Sequence, residues 1–270
     1  MTIPTAHSAT RHATDADEFV AFCVGVRELT DLDLLRYKRR QMERRIRAFA
    51  ERKGAPALAD YLELLRRDPE ELNGFLDRVT INVSQLWRNP EQWRLLEREV
   101  LPELAARGRL RIWSAGCSYG AEAYTAAALC RTIGATGASI LGTDVDRRMI
   151  ARAREGVFSD EDARTAPPEQ LARFFDRHGD GWRANAALRA LVRFEVADLF
   201  RQEPAPGSYD LILCRNVVIY FNEPDRDALH ALFADALRPG GYLVVGSTER
   251  VACPRELGLE PAHPFTYRKA

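Results

Sequence analysis

No stretch of this chain approaches the roughly 20 consecutive apolar residues that a membrane-spanning helix needs. The chain therefore carries no sign of direct membrane insertion. Cysteine is sparse: five residues, Cys23, Cys117, Cys130, Cys214 and Cys253, scattered and without a Cys-x-x-Cys pair. That pattern argues against a disulfide framework and against a zinc site. The five histidines are equally dispersed, so no metal is expected. Charge of one sign is missing too, since 39 Lys and Arg balance 39 Asp and Glu. Nucleic-acid binders are usually basic overall, so no nucleic-acid partner is expected, although charge can still be local. The N-terminus lacks the apolar core of a secretory leader. Residues 1–16 are polar and read as a disordered tail. The simplest reading is a reduced, metal-free, cytoplasmic protein, expected to be a monomer.

Residues 17–80 read as a helical domain. Leu35, Met42, Ile46 and Phe49 recur at helical spacing, and Gly54 marks a stop. Two shorter helices follow, broken at Asp68-Pro69. Residues 36–53 hold nine Lys or Arg against two Glu. One reading is a solvated face; the other is a docking surface for an acidic partner. Further on, Asn89-Pro90 predicts the start of a helix with Trp93, Leu96 and Val100 inward.

From Leu110 strands and helices alternate. Arg111–Ala115, 139–146, 191–199 and 209–218 read as strands or strand ends, a helix spans about 225–237, and Tyr242–Ser247 is a last strand. Such alternation predicts a doubly wound α/β sheet. Residues 81–270 thus form one domain, with a small subdomain inserted at about 160–195.

The chemistry-bearing residues sit where strands end, which is where open α/β sheets bind ligands. Gly116-Cys117-Ser118-Tyr119-Gly120 follows the first strand. Its glycine spacing fits neither a dinucleotide fingerprint nor a phosphate loop, and glycine lets a ligand approach the backbone closely; a plain tight turn is the ordinary alternative. Asp144 or Asp146 ends the next strand and is placed to accept ribose hydroxyls. Asp146 precedes Arg147-Arg148-Met149 and suits a helix N-cap, which leaves Asp144 for the ribose. Asp198-Leu199 follows the third strand and offers an acceptor and an apolar contact for an adenine ring. Cys214-Arg215-Asn216 ends a strongly apolar strand, where two polar side chains are out of place in a core. Glu122 either pairs with a ligand ammonium or favours the helix N-terminus. Arg88 is suited to gripping a carboxylate bidentately. The Asn/Asp-Pro-Pro-aromatic sequence of base-amino methylases is missing. The details favour S-adenosylmethionine (SAM) over NAD or ATP.

These motifs resemble one family, the chemotaxis receptor glutamate methyltransferases (CheR-type), from about residue 17 to the C-terminus. The family's Asn-x-Thr-x-Phe-Phe-Arg appears as Asn82-Val83-Ser84-Gln85-Leu86-Trp87-Arg88. Its glycine loop appears as Trp113 to Thr125, its Asp-Ile-Asp as Asp144-Val145-Asp146, and its Cys-Arg-Asn-Val-x-Ile-Tyr-Phe as Cys214 to Phe221. Its ending appears as Pro239-Gly240-Gly241 and Thr248-Glu249. The resemblance implies an all-helical N-terminal domain, a Rossmann-like class I SAM-dependent methyltransferase sheet and a small inserted β-subdomain. It implies SAM as cofactor and S-adenosylhomocysteine (SAH) as product, with glutamates of a chemoreceptor or related signalling protein as acceptors. By motif match, Asn82, Ser84, Arg88, Gly116, Glu122, Asp144, Asp198, Leu199, Cys214, Arg215 and Asn216 line the cofactor site. Arg88 and Tyr220 sit nearest the transferred methyl.

This chain departs from the family pattern at several points. Ser84 replaces Thr, Leu86-Trp87 replaces Phe-Phe, Ala121 replaces Glu, Ala123 replaces Pro and Asp198 replaces Asn. The inserted segment looks short for binding a receptor tail, which points to a member that needs no C-terminal receptor peptide. Two other functions compete: a regulatory SAM- or SAH-binding protein with a degenerate site, and an RNA methyltransferase drawing on the basic helix.

Overall fold

The structure, a computed structural model, describes residues 7–80, 82–135 and 137–270, with side chains from Asp17 on. The chain divides into two compact units. The first comprises the chain up to Ile81 together with Tyr220–Asn222, and the second comprises Asn82–Ile219 and Glu223–Ala270.

The first unit is built on four helices: α1 (His7–Thr30), α2 (Arg39–Arg52), α3 (Leu58–Arg67) and α4 (Pro69–Thr80). Each buries one stripe at helical spacing. In α1 the stripe is Phe19, Phe22, Cys23 and Val26; in α2 it is Met42, Ile46, Phe49 and Ala50. The aromatic centre is Phe22 stacked on Tyr61 at 6.1 Å, with Phe75 edge-on to both. Asp68 accepts the N–H groups of Glu70 and Glu71, and Pro69 fills the first helical position of α4, so the Asp-Pro break acts as a cap. Residues 220–222 join this unit through Lys38 N–H to the Tyr220 carbonyl (2.9 Å) and Asn222 N–H to the Arg36 carbonyl (2.9 Å). The tail expected to be disordered through residue 16 is corrected from residue 7 on, because α1 starts at His7. Neither glycine nor proline occurs between residues 5 and 24 to break that helix. Residues 1–6 of that expectation lie outside the described residues.

The second unit holds ten strands: β1 (Arg111–Ala115), β2 (Ser139–Asp144), β3 (Val157–Ser159), β4 (Phe175–His178), β5 (Gly181–Ala184), β6 (Val192–Val196), β7 (Tyr209–Cys214), β8 (Leu237–Val245), β9 (Leu259–His263) and β10 (Thr266–Lys269). Seven form the main sheet in the order β6-β2-β1-β7-β8-β10-β9. Its first five strands are parallel, and β10 and β9 are antiparallel additions. The order reverses between β1 and β7, which opens a crevice at their carboxyl ends. The fold is therefore the doubly wound, Rossmann-like sheet expected.

Helices α5 (Pro90–Leu95), α6 (Leu101–Ala105), α7 (Ala121–Thr132), α8 (Arg147–Glu155), α9 (Asp160–Ala163), α10 (Pro168–Phe174), α11 (Ala186–Arg189) and α12 (Glu223–Ala236) complete the unit. A π turn at Leu96–Val100 joins α5 to α6. In α7 every residue from Ala121 to Cys130 is buried. Its run of alanines suits close packing on two sides. A small antiparallel sheet, β3-β5-β4, forms the inserted subdomain. Its strands lie within residues 157–184, which shifts the expected limits of 160–195. The segment 192–196 pairs in parallel with β2 and so belongs to the main sheet.

Candidate active site

The crevice between β1 and β7 is shaped by two turns that touch. Gly116 leaves β1 with φ 75°, and a Cβ there would meet Val217 Cγ2 at 2.6 Å. Only glycine combines that backbone with that approach. The Gly116 and Cys117 N–H groups donate to the Thr143 carbonyl at 2.8 and 2.9 Å, pinning the loop to the end of β2. Ser118 (φ 49°) and Asn216 (φ 61°) also occupy the left-handed region. Such residues concentrate where function over-determines the backbone.

Asp144 stands at the centre of the loop. Its Oδ2 accepts the Ser118 N–H at 2.8 Å and its Oδ1 accepts the Asp146 N–H at 2.9 Å. Burial pushes its carboxyl up to about 6, with the two backbone N–H groups pulling the other way. Asp146 caps α8 through the N–H groups of Arg148 and Met149. Its other oxygen accepts from Asn82 Nδ2 at 2.9 Å, and Asn82 Oδ1 accepts from the Ser118 hydroxyl at 3.2 Å. Asn82 thereby ties the segment before α5 to both the glycine loop and the cap. Asp198 caps a 3-10 turn, Leu199–Arg201, through the Phe200 N–H at 3.0 Å. The adjacent Ala197 N–H donates to the Asp144 carbonyl at 2.9 Å, and Leu199 is buried.

Arg215 is the most heavily engaged side chain of the site. Its Nε and one terminal nitrogen donate to Gln92 Oε1 at 3.1 and 2.8 Å. It also donates to the Arg88 carbonyl at 2.6 Å and to Asn89 Oδ1 at 3.3 Å, with its guanidinium 5.0 Å from the Trp93 ring centroid. Its other terminal nitrogen meets Glu122 Oε2 at 3.4 Å. Glu122 Oε1 accepts the Ser114 hydroxyl at 2.8 Å. Glu122 was expected to meet a ligand ammonium; in the structure its two oxygens face Ser114 and Arg215. Burial pushes Glu122 up and Arg215 down, each against the pull of the other.

The segment before α5 is held at both ends. Trp87 (φ 53°) and Asn89 (φ 57°) are left-handed, and the Trp87 N–H donates to the Thr125 hydroxyl at 3.1 Å. The Arg88 guanidinium, expected on a carboxylate, donates to the Val83 carbonyl at 2.8 Å. The Ser84 carbonyl accepts from the Tyr119 hydroxyl, which also donates to Asp162 Oδ1 at 2.8 Å. Leu86 N–H donates to the Asp162 carbonyl (2.9 Å) and the Thr165 hydroxyl to the Leu86 carbonyl (2.7 Å). The inserted subdomain thus braces this segment.

Asn82, Ser84, Arg88, Gly116, Glu122, Asp144, Asp198, Leu199, Cys214, Arg215 and Asn216 all lie in the second unit. Tyr220, at the end of the 3-10 turn Val218–Tyr220, belongs to the first. Cys117 and Cys214 are buried, and burial holds both thiols well above their usual range, so neither is a ready nucleophile. Sequence reasoning gave no role to Gln92, Ser114, Tyr119 or Glu249. Glu249 carried two signals, its place in the Thr248-Glu249 ending and a carboxylate just after the apolar strand β8. A separate cavity of about 410 Å³, lined by Arg111, Ser139, Val192 and Tyr209, opens at the amino ends of the strands, away from these residues.

Residues 82–261 match the family profile described as the SAM-binding domain of CheR methyltransferases, and residues 17–80 match the one described as their all-alpha domain. A chemotaxis protein methyltransferase of Listeria innocua is 34% identical over 255 residues, covering 93% of this chain and 97% of that protein. Chemotaxis protein methyltransferase 1 of Pseudomonas aeruginosa is 32% identical over 251 residues, covering 88% of this chain and 91% of that protein.

Proposed function

The chain belongs to the CheR methyltransferase family and is a SAM-dependent methyltransferase of chemotaxis. On that premise we propose that it esterifies glutamate side chains of chemoreceptors or related signalling proteins. The observation that supports this reading is that, among the described residues, three carboxylates of the crevice are already committed. Asp144, Glu122 and Glu249 are all engaged by backbone N–H groups, by Ser114 or by Arg215. An amine or hydroxyl acceptor would need a base to take its proton. A glutamate, with an ordinary pKa of about 4.3, is already a carboxylate at neutral pH.

The residues present fit the cofactor. Asn216 Oδ1 is buried and has no hydrogen-bond partner in the structure, an acceptor left open for a ligand donor. Gly116 keeps the loop clear of a Cβ. Asp144, Asp198-Leu199 and Asn216 would hold the nucleoside, and Arg88 with Asn82 and Ser84 the amino-acid end. When bound, SAM supplies the activated methyl on its sulfonium. What the chain contributes is then positioning and exclusion of water. The exposed Arg40 and Arg44 of α2 give the first unit a cationic face suited to Glu-rich helices.

Against a degenerate site stands the retention of Arg88, Glu122, Asp144, Arg215, Asn216 and Tyr220 in the sequence, although Ala121 and Ala123, both buried in α7, depart from the family pattern. The test is transfer of radiolabelled methyl from SAM to receptor-containing membranes, scored as alkali-labile methanol. Label on a receptor-sized band supports the reading. Label that is alkali-stable, or carried on RNA, would sink it.

A further inference from the structure

Glu249 lies just past the end of β8 and is 3% exposed, and what it faces is backbone. Its carboxylate is spent on backbone. Oε2 accepts the N–H groups of Asn216 (2.7 Å) and Gly246 (2.5 Å), and Oε1 accepts that of Ile219 (3.3 Å). One side chain thus gathers the turn after β7 and the end of β8. The turn it grips starts at Asn216, whose φ of 61° is a left-handed conformation that asparagine tolerates better than most residues with a side chain. The fit is tight, since a Cβ on Gly246 would lie 2.5 Å from Glu249 Oε2 and 2.8 Å from both nitrogens of Asn216.

We propose that Glu249 is a positioning residue of the cofactor site. Its carboxylate holds Asn216 in the left-handed conformation and so fixes where the unpartnered Asn216 side-chain oxygen stands. An anion suits this task because it accepts several N–H groups at once, each bond strengthened by the charge. Burial pushes the Glu249 carboxyl up while these N–H groups pull it down. The inference rests on the reading of this crevice as a SAM site and is independent of the acceptor.

The test is calorimetric binding of SAH to the full chain, alongside thermal unfolding of each variant. In Glu249→Gln one carbonyl oxygen remains and the acceptor facing Ile219 is lost. Binding should weaken about tenfold, the scale of a lost hydrogen bond to a charged group. The decisive comparison is with Asn216→Ala. If Glu249 acts through Asn216, E249Q should change binding less than about twofold in the N216A background. Gly246→Ala displaces the carboxylate from the opposite side and should reproduce the loss and its dependence on Asn216, so the test survives if E249Q does not fold. Wild-type affinity in both E249Q and G246A, or an equal loss with and without Asn216, would overturn the inference. Absence of SAH binding by the wild-type chain would instead overturn the cofactor reading on which it stands.

Discussion

Arg215 and Glu122 meet at 3.4 Å inside the second unit, where burial works against both charges. Removing two charges from water costs more than a single loose contact returns, so the pair depends on its other hydrogen bonds. Arg215 has Gln92, Asn89 and the Arg88 carbonyl; Glu122 has Ser114. Glu122→Ala leaves the guanidinium buried without its anion and should cost about 3–5 kcal/mol of stability. Urea unfolding measures this. Glu122→Gln, which fills the same space and keeps one acceptor oxygen, should lose distinctly less, and equal losses would refute the partial rescue expected from that oxygen.

Asp144 gives the site a pH dependence of definite sign. Its folded carboxyl, raised to about 6 from 3.8, favours the neutral form in the fold. The stability it contributes is therefore fully present below 3.8 and lost as pH rises through about 6. Cofactor binding runs the other way, because ribose hydroxyls donate best to the ionised group. SAH affinity should fall as pH drops below about 6, by about tenfold per pH unit at most. Asp144→Asn should bind more weakly at high pH and lose that slope. A slope retained in the variant would assign it to another group.

His230 on α12 supplies an acid-side liability away from the site. It is 1% exposed, neither ring nitrogen has a hydrogen-bond partner, and burial, with Arg226 nearby, pushes its pKa down to about 4. A depressed histidine contributes stability that is complete above its unfolded pKa of 6.5 and lost as pH falls through about 4. At pH 5 the loss relative to pH 8 should approach about 2 kcal/mol. His230→Leu should remove that component of the unfolding curve, and an unchanged pH profile would refute it.

The basic face of α2 is narrower than its sequence suggests. Arg47 is held by Glu43 and Glu18 at 2.9 and 3.1 Å, and Arg39 contacts Glu43 at 3.4 Å. Arg40 and Arg44 are the better probes, being exposed. Reversing both to Glu should slow methylation of receptor membranes at low ionic strength and flatten its salt dependence. Rates indifferent to the change would remove α2 from substrate capture.

Much of this architecture was legible in the residues. The strands showed as apolar runs closed by Gly, Asp or Asn, and Asp146 declared itself a cap by standing before Arg147-Arg148-Met149. What stayed hidden depends on distant partners. Nothing local to Arg215 announces Gln92, 123 positions earlier in the chain. The contacts of Glu122 were hidden for the same reason: its position at a helix start was visible, but its burial against Ser114 was not. The left-handed backbone of Trp87 carries no glycine or asparagine signature, since tertiary contacts such as the Thr125 hydroxyl impose it.

The brace between the inserted subdomain and the glycine loop bears on how such chains can be re-engineered. Residues 157–184 look like a detachable ornament, a three-stranded sheet hung between α8 and β6. Yet Asp162, within them, receives the Tyr119 hydroxyl, pairs with Arg152 at 2.6 Å and offers its carbonyl to Leu86. A chimera that grafts another family member's segment here therefore also replaces a support of the crevice. Modularity in this protein ends at the stretch from Asp162 to Thr165, whose hydroxyl also holds the Leu86 carbonyl, and a swap must carry that stretch and its contacts as a single inherited part.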